Sequence, residues 1–365
     1  MKSNLSRSFA VLFFVLLSIS TLVIVNVNCQ EEDSWIELVP MQEPRVDHGV
    51  ATVDGKIYAI GNGPNHPIDK VEEYNPQTNT WTNKKSAPEP LDHLSVAVHH
   101  GKIYCFSAGT GKTYAYTPLY DSWETKTQLP NTSDNIIANT LNDKIYVIDG
   151  SWKTLHVYYP INNSWTTGNP PLYELYFKLA SSVVFDDRLH VFGANSLENS
   201  HQIYDPTTNS WSVGTPLIEG YYSPVVSATS GFNAPKRIYV FGLKSNIFDA
   251  TSLNGQSYDP KTNTWITCAQ IPNSHLRGQS TVVEDKIYVI GGSMIFLGQT
   301  FPMSNNILYT PIGYGTPDPS YTPPPTTPSP SPPEPEFLTT IALASVVTLS
   351  IVAVGILAYY KKRRT

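Results

Sequence analysis

Cysteine is almost missing: 365 residues hold three, Cys29, Cys105 and Cys268. No two have metal-ligand spacing and there are too few for a disulfide framework, which excludes a zinc module or a stapled miniprotein. Charged residues are scarce at 15%, which argues against a disordered chain and against a helix-rich cytosolic protein. A basic excess is also lacking. Every acid lies between Glu31 and Glu336, while Lys2, Arg7, Lys361, Lys362, Arg363 and Arg364 lie outside those limits, leaving 18 bases against 30 acids, a net of −12. That surface repels phosphate, so no nucleic-acid partner is expected. Long apolar runs are absent except at the two ends.

Those ends read as addresses. Residues 1–29 join a basic start (Lys2, Arg7) to the apolar run Phe9–Val27, the pattern of a secretory signal, with an uncleaved anchor as the alternative. Phe337–Tyr360 has 24 residues and no charge, long enough at about 1.5 Å per residue to span a bilayer core of about 30 Å. The basic cluster 361–365 behind it belongs on the cytoplasmic side. Residues 313–336 carry the run TPDPSYTPPPTTPSPSPPEPE, which favours an extended polyproline stalk. The expectation is a single-pass type I protein of the cell membrane, anchored through its C-terminal helix, with residues 30–312 outside. Asn131 and Asn162 open sequons in that exported part and are candidate glycosylation sites.

What the middle has is aromatics and turn formers: 22 Tyr, 7 Trp, 22 Gly and 30 Pro over the whole chain. Aromatic and β-branched residues favour strands. They also repeat. A basic residue, an apolar residue and an aromatic recur at Lys56-Ile57-Tyr58, Lys102-Ile103-Tyr104, Lys144-Ile145-Tyr146, Arg188-Leu189-His190, Arg237-Ile238-Tyr239 and Lys286-Ile287-Tyr288. A second anchor follows at Tyr74, Tyr116, Tyr158, Tyr204, Tyr258 and Tyr309, and a third at Trp81, Trp123, Trp165, Trp211 and Trp265. Each unit holds four short strands, a to d, and a four-stranded unit at this period is a propeller blade. The sixth unit lacks its Trp, and the missing one stands at the front as Trp35, so Trp35–Met41 is predicted to supply strand d of the last blade. The fold predicted is all-β, a six-bladed propeller closed by its N-terminal strand, plus one transmembrane helix.

These anchors resemble the kelch family of β-propellers, of which the galactose-oxidase central domain is one kind, over about residues 35–312. The family's double glycine after strand b survives only at Gly291-Gly292. The resemblance implies a binding face made by the d–a and b–c loops, often with an Arg leading into strand a. On that reading the ligand-binding residues are Arg45, Asp47, His48, Asp92, His93, Asp134, Asn135, Trp152, Phe177, Tyr221, Tyr222 and Arg277. Trp152 is the one Trp outside the repeat. No catalytic set, metal site or cofactor is expected, because nucleophile-elbow, phosphate-loop and sialidase-box motifs are absent and neither Cys105 nor Cys268 is placed for the Cys–Tyr crosslink of copper sugar oxidases. The reading is a non-enzymatic surface protein that binds an extracellular protein or glycan. The alternatives are a carbohydrate-active propeller enzyme, of the sugar-oxidase or epimerase kind, or a structural component of a surface layer.

Overall fold

The computed structural model describes residues 31–62, 68–131, 136–151, 153–173, 175, 180–193, 199–243, 254–272, 275–296, 299–319 and 321–322. The expected signal, membrane segment, cytoplasmic tail and most of the stalk lie outside them. Among the described residues no helix is long and apolar enough to cross a membrane. The chain divides into two units, residues 1–321 and 322–365.

The first unit contains six antiparallel four-stranded sheets. Blade 1 runs Gly49–Val53 (a), Lys56–Ile60 (b), Val71–Asn75 (c) and Thr80–Lys84 (d). Blades 2 to 5 repeat this order, with strands a at Leu94–His99, Ile136–Leu141, Ser181–Phe185 and Tyr222–Ala228. Blade 6 takes a, b and c from Gln279–Val283, Lys286–Ile290 and Asn306–Thr310, and d from Ser34–Glu37. Trp35 sits opposite Tyr309 in that pairing, so the predicted closure is present. The a strands pack against one another around the axis, blade 6 against blade 1 included.

Local chemistry explains why each unit folds this way. Five a–b turns have two residues, both with positive φ: Asp54-Gly55, His100-Gly101, Asn142-Asp143, Asp186-Asp187 and Glu284-Asp285. Two consecutive left-handed residues make the type I′ turn, whose twist matches that of the flanking strands. In the c–d turns, Asn79, Asp121, Asn163, Asn209 and Asn263 take the same conformation, as does Asp33 before the closing strand.

Those six residues account for the Tyr and Trp anchors. The hydroxyls of Tyr74, Tyr116, Tyr158, Tyr204, Tyr258 and Tyr309 donate to the Oδ1 of Asn79, Asp121, Asn163, Asn209, Asn263 and Asp33 at 2.5–2.8 Å. The Trp after each turn donates its indole N–H to a backbone carbonyl of the preceding blade: Trp81 to Val39, Trp123 to Lys85, Trp165 to Thr127, Trp211 to Asn169, Trp265 to Thr215 and Trp35 to Ala269. In five of the six the same Oδ1 also accepts a backbone N–H from that blade. Tyr sets the turn, the turn sets the Trp, and the Trp stitches two blades together. Each Tyr–Trp pair also stacks at 4.8–5.1 Å between ring centroids, a contact of roughly 0.5–1.5 kcal/mol beyond its buried area.

The double glycine has a comparable reason. Gly291 lies at φ 61°, and a Cβ there would stand 2.7 Å from His48 Cε1 and 2.8 Å from the Arg45 carbonyl. Gly292 N–H donates to that carbonyl. Blade 6 needs the pair because the strand leading into blade 1 crosses it there.

Cys105 and Cys268 are free and buried, and burial pushes the Cys268 thiol up to about 12. The core holds several neutral imidazoles. Burial lowers His48 and His190 to about 3 and His201 to about 4, and lowers His275 as well. An unfolded chain takes up protons on these groups near pH 6.5, whereas the folded one resists until about pH 4. The unfolded state thus binds more protons in that window, and stability falls as pH drops through it. We expect the calorimetric melting temperature to decrease steadily from pH 7 to pH 4.5. A flat profile over that range would show that these histidines are not held neutral by the fold.

Candidate functional site

Strand register aligns the blades. Gly49, Ser95, Ile137, Ser181, Val225 and Gln279 each pair with the fifth residue of their b repeat. Two residues upstream stand Asp47, His93, Asn135, Leu179, Ser223 and Arg277. Asp47, His93, Ser223 and Arg277 all have positive φ, between 44° and 58°. A bulky or charged residue is not at ease there, and the position turns the chain from the d–a crossover into the axial strand. These four residues line one cavity with about 620 Å3 of empty space open to solvent on the axis.

All six blades contribute to its wall. Blades 6, 1 and 2 bring charge: Arg277 Nη1 donates to Asp47 Oδ2 at 2.8 Å, and His93 Nδ1 stands 3.1 Å from Asp92 Oδ1. Blades 3, 4 and 5 bring Ile136, Ile137, Ala180 and Pro224. Ser223 Oγ accepts the Arg277 N–H at 3.0 Å and fixes the rim between blades 5 and 6. Deeper in, hydroxyls join adjacent a strands: Thr52 with Thr281 at 2.7 Å, and Ser227 with Ser280 at 2.8 Å. Among the described residues the charged groups stand on the side of blades 6, 1 and 2, and small apolar residues mixed with Ser181 and Ser223 stand on the other, over a hydroxyl-lined throat.

Three of the twelve expected ligand residues are elsewhere. Arg45 is wholly buried, with Nε and Nη2 on Glu72 Oε2 at 3.1 and 2.7 Å, and Nη1 on the carbonyls of Gly61 and Lys70. His48 is wholly buried and Tyr221 nearly so, its hydroxyl on the Asn254 carbonyl. Arg45 and Tyr221 share a register position with Leu91 and His275, all of them buried. This position precedes the left-handed residue, and its side chain turns into the blade instead of the cavity. Tyr222 opens strand a of blade 5, half-buried beside a register shift. Asp47, His93 and Arg277 are at the cavity, and Asp92 is on its rim beside His93. Asp134, Asn135, Trp152 and Phe177 lie outside the described residues. Asn131 and Asn162 are exposed.

Two features were not foreseen. Ser223 completes the ring, although Tyr221 and Tyr222 beside it look more conspicuous. The b–c connection of blade 6 is itself a hairpin, Ser293–Phe296 with Gln299–Pro302, on which Met294 and Phe301 are paired and exposed. It stands on the same face as the cavity mouth. The alternation around Met294 and Phe301 was the signal available.

The Kelch motif family matches residues 44–88, which is blade 1 with its incoming crossover. Human Kelch-like protein 28 is 37% identical over 93 residues, 23% of this chain and 16% of its own length. Kelch-like ECH-associated protein 1B of Danio rerio is 30% identical over 86 residues, 22% of this chain and 15% of that protein. Beta-scruin of Limulus polyphemus is 34% identical over 80 residues, 21% and 9% of the two chains. The matched stretch takes in less than a fifth of each of these relatives. The solved structure of YjhT superposes with a TM-score of 0.60 at 15% identity, covering 74% of this chain and 96% of that one. The chain is a six-bladed propeller that carries the Kelch motif in its first blade and is similar to kelch-repeat proteins.

Proposed function

We propose that this protein is a cell-surface recognition module whose axial cavity and neighbouring hairpin hold a segment of an extracellular protein, with a glycan as the other ligand class. The observation that carries the reading lies within the chain. Positions that build the blades keep one chemistry through all six units: Tyr hydroxyl, left-handed Asn or Asp, Trp. The ring position instead changes from Asp47 to His93 to Ser223 to Arg277, although its backbone conformation is the same. A scaffold that repeats its frame and varies its rim is suited to specific contact, and loops on a rigid frame tend to carry function. An exposed apolar pair beside a charged rim is also the composition of protein contact patches.

Display outside the cell rests on the sequence of the two ends. Gly315 N–H donates to Asn233, Asp318 N–H donates to Gly231, and Tyr321 stacks on Phe232 at 5.4 Å. These are contacts with the a–b loop of blade 5, so the chain leaves the propeller on the face opposite the cavity.

The test is capture of surface proteins and glycans by the full-length protein, followed by variants. Arg277→Ala and His93→Ala should each weaken the captured interaction by about tenfold or more and leave the melting temperature unchanged. Tyr120→Ala, in the c–d turn on the far face, should have no effect. Loss of binding on Tyr120→Ala with none on the two ring changes would place the site on the wrong face.

A further inference from the structure

A second cluster lies on the face opposite the cavity, where the a–b turns of blades 2 and 3 meet. His99 ends strand a of blade 2, and His100 begins the turn after it. Asp143 is the second turn residue of blade 3. The two imidazoles stack with centroids 4.1 Å apart and planes 17° apart. Asp143 Oδ1 lies 3.2 Å from His100 Nε2 and 3.7 Å from His99 Nε2. The three donor atoms fall within 4.8 Å of one another.

His99 separates this cluster from an ordinary surface ion pair. Its side chain is 5% exposed and its Nε2 has no hydrogen-bond partner, yet that nitrogen points at the Asp143 carboxylate. A buried ring nitrogen without a partner is costly. In a tetrahedral zinc site, bonds of about 2.0–2.2 Å put donor atoms roughly 3.3 Å apart by simple geometry. Two of the observed separations, 3.2 and 3.7 Å, bracket that distance, and binding one ion requires the stacked rings of His99 and His100 to splay so that both nitrogens turn toward it.

We infer that His99, His100 and Asp143 form a binding site for a divalent cation of the zinc class. Two imidazoles and a carboxylate are a common donor set for zinc, and nitrogen donors disfavour calcium and magnesium. Three protein ligands leave the fourth position to water or to a donor from outside. The ion joins two a–b turns that no covalent link connects, so it also clamps blade 2 to blade 3. His100 and Asp143 both sit at positive φ, a backbone that Asn adopts readily. The informative variants are therefore His100→Asn and Asp143→Asn, which remove or weaken a ligand without straining the turn.

The experiment uses tag-free full-length protein, stripped with chelator and titrated with zinc and with cobalt. The wild type should take up one equivalent of zinc, give the strong visible absorption of four-coordinate cobalt, and melt at a higher temperature with zinc than without it. Changing a residue that merely supports a ligand weakens metal binding about 10–100-fold, so each variant should lose at least tenfold in affinity, together with the cobalt spectrum and the thermal gain. A wild type that binds no zinc would overturn the proposal. So would equal binding by the wild type and both variants, which would put the metal on other histidines.

Discussion

Deleting residues 33–37 should abolish the single cooperative melting transition and convert the protein to soluble oligomers or aggregate. Five of the six blades are each built from one continuous stretch of chain. Blade 6 is not: the Ser34–Glu37 strand is joined by the backbone to blade 1 and reaches Asn306–Thr310 only through noncovalent pairing. Four residue pairs, Ser34–Thr310 to Glu37–Ile307, hold the ring shut. Trp35 packs edge-on against Phe241 at 4.8 Å and tilted against Tyr309 at 4.9 Å. Asp33 accepts both the Tyr309 hydroxyl and the Ala269 N–H. Without this strand the inner strand, whose five residues are all buried, becomes an open edge able to pair with another molecule. Trp35→Ala, a milder change, should cost about 3 kcal/mol, at the low end for large-to-small aromatic substitutions because the ring is only half-buried. Calorimetry with light scattering reads both outcomes. An unchanged transition in the deletion variant would mean that the ladder does not close the ring.

The fold was legible because its signals repeat. A single Tyr or Trp says little, but five Tyr–turn–Trp sets at one spacing fix a blade, and a sixth Tyr, Tyr309, with the displaced Trp35 reveals closure. The physical cause is the Tyr hydroxyl on a left-handed Asn or Asp, which ties three residue types to one spacing. The cavity was only half legible. Asp47, His93 and Arg277 were picked out, but with Arg45, His48 and Tyr221, which are core. Period-two alternation fails there because a left-handed residue interrupts the strand just before it starts. Counting from strand b would have served better. In the blades with two-residue turns, the ring residue stands nine positions before the basic residue of the b repeat, as Asp47 does before Lys56 and Arg277 before Lys286. Blade 5 escapes the count because its a–b loop is longer, held by Asp285, which accepts the N–H groups of Ser230, Asn233 and Ala234. The chain thus hides Ser223 behind an irregular loop. The His99–Asp143 proximity joins turns of neighbouring blades, and no motif within one repeat spells it.

Arg45→Ala should destabilise the protein by about 3–5 kcal/mol, a fall on the order of 10 °C in melting temperature, with the fold intact. The Arg45 and Glu72 side chains are both fully buried, so truncating the Arg strands a carboxylate in the blade. Glu72 has a second task. Its Oε1 accepts the Gln42 N–H at 2.7 Å and anchors the crossover into blade 1. Gln202 and Gln256 occupy the same register in blades 4 and 5, where their Oε1 atoms accept Tyr173 N–H at 3.0 Å and Ile218 N–H at 2.7 Å. A neutral amide therefore does the anchoring where no Arg is present. It follows that Arg45→Met combined with Glu72→Gln should recover more than half of the loss caused by Arg45→Ala, since it removes both charges and keeps the acceptor. Chemical denaturation of the two variants decides the matter. If the double variant is as unstable as Arg45→Ala, the cost lies in the lost guanidinium bonds to Gly61 and Lys70, and the ion pair is not what places Arg45 in the core.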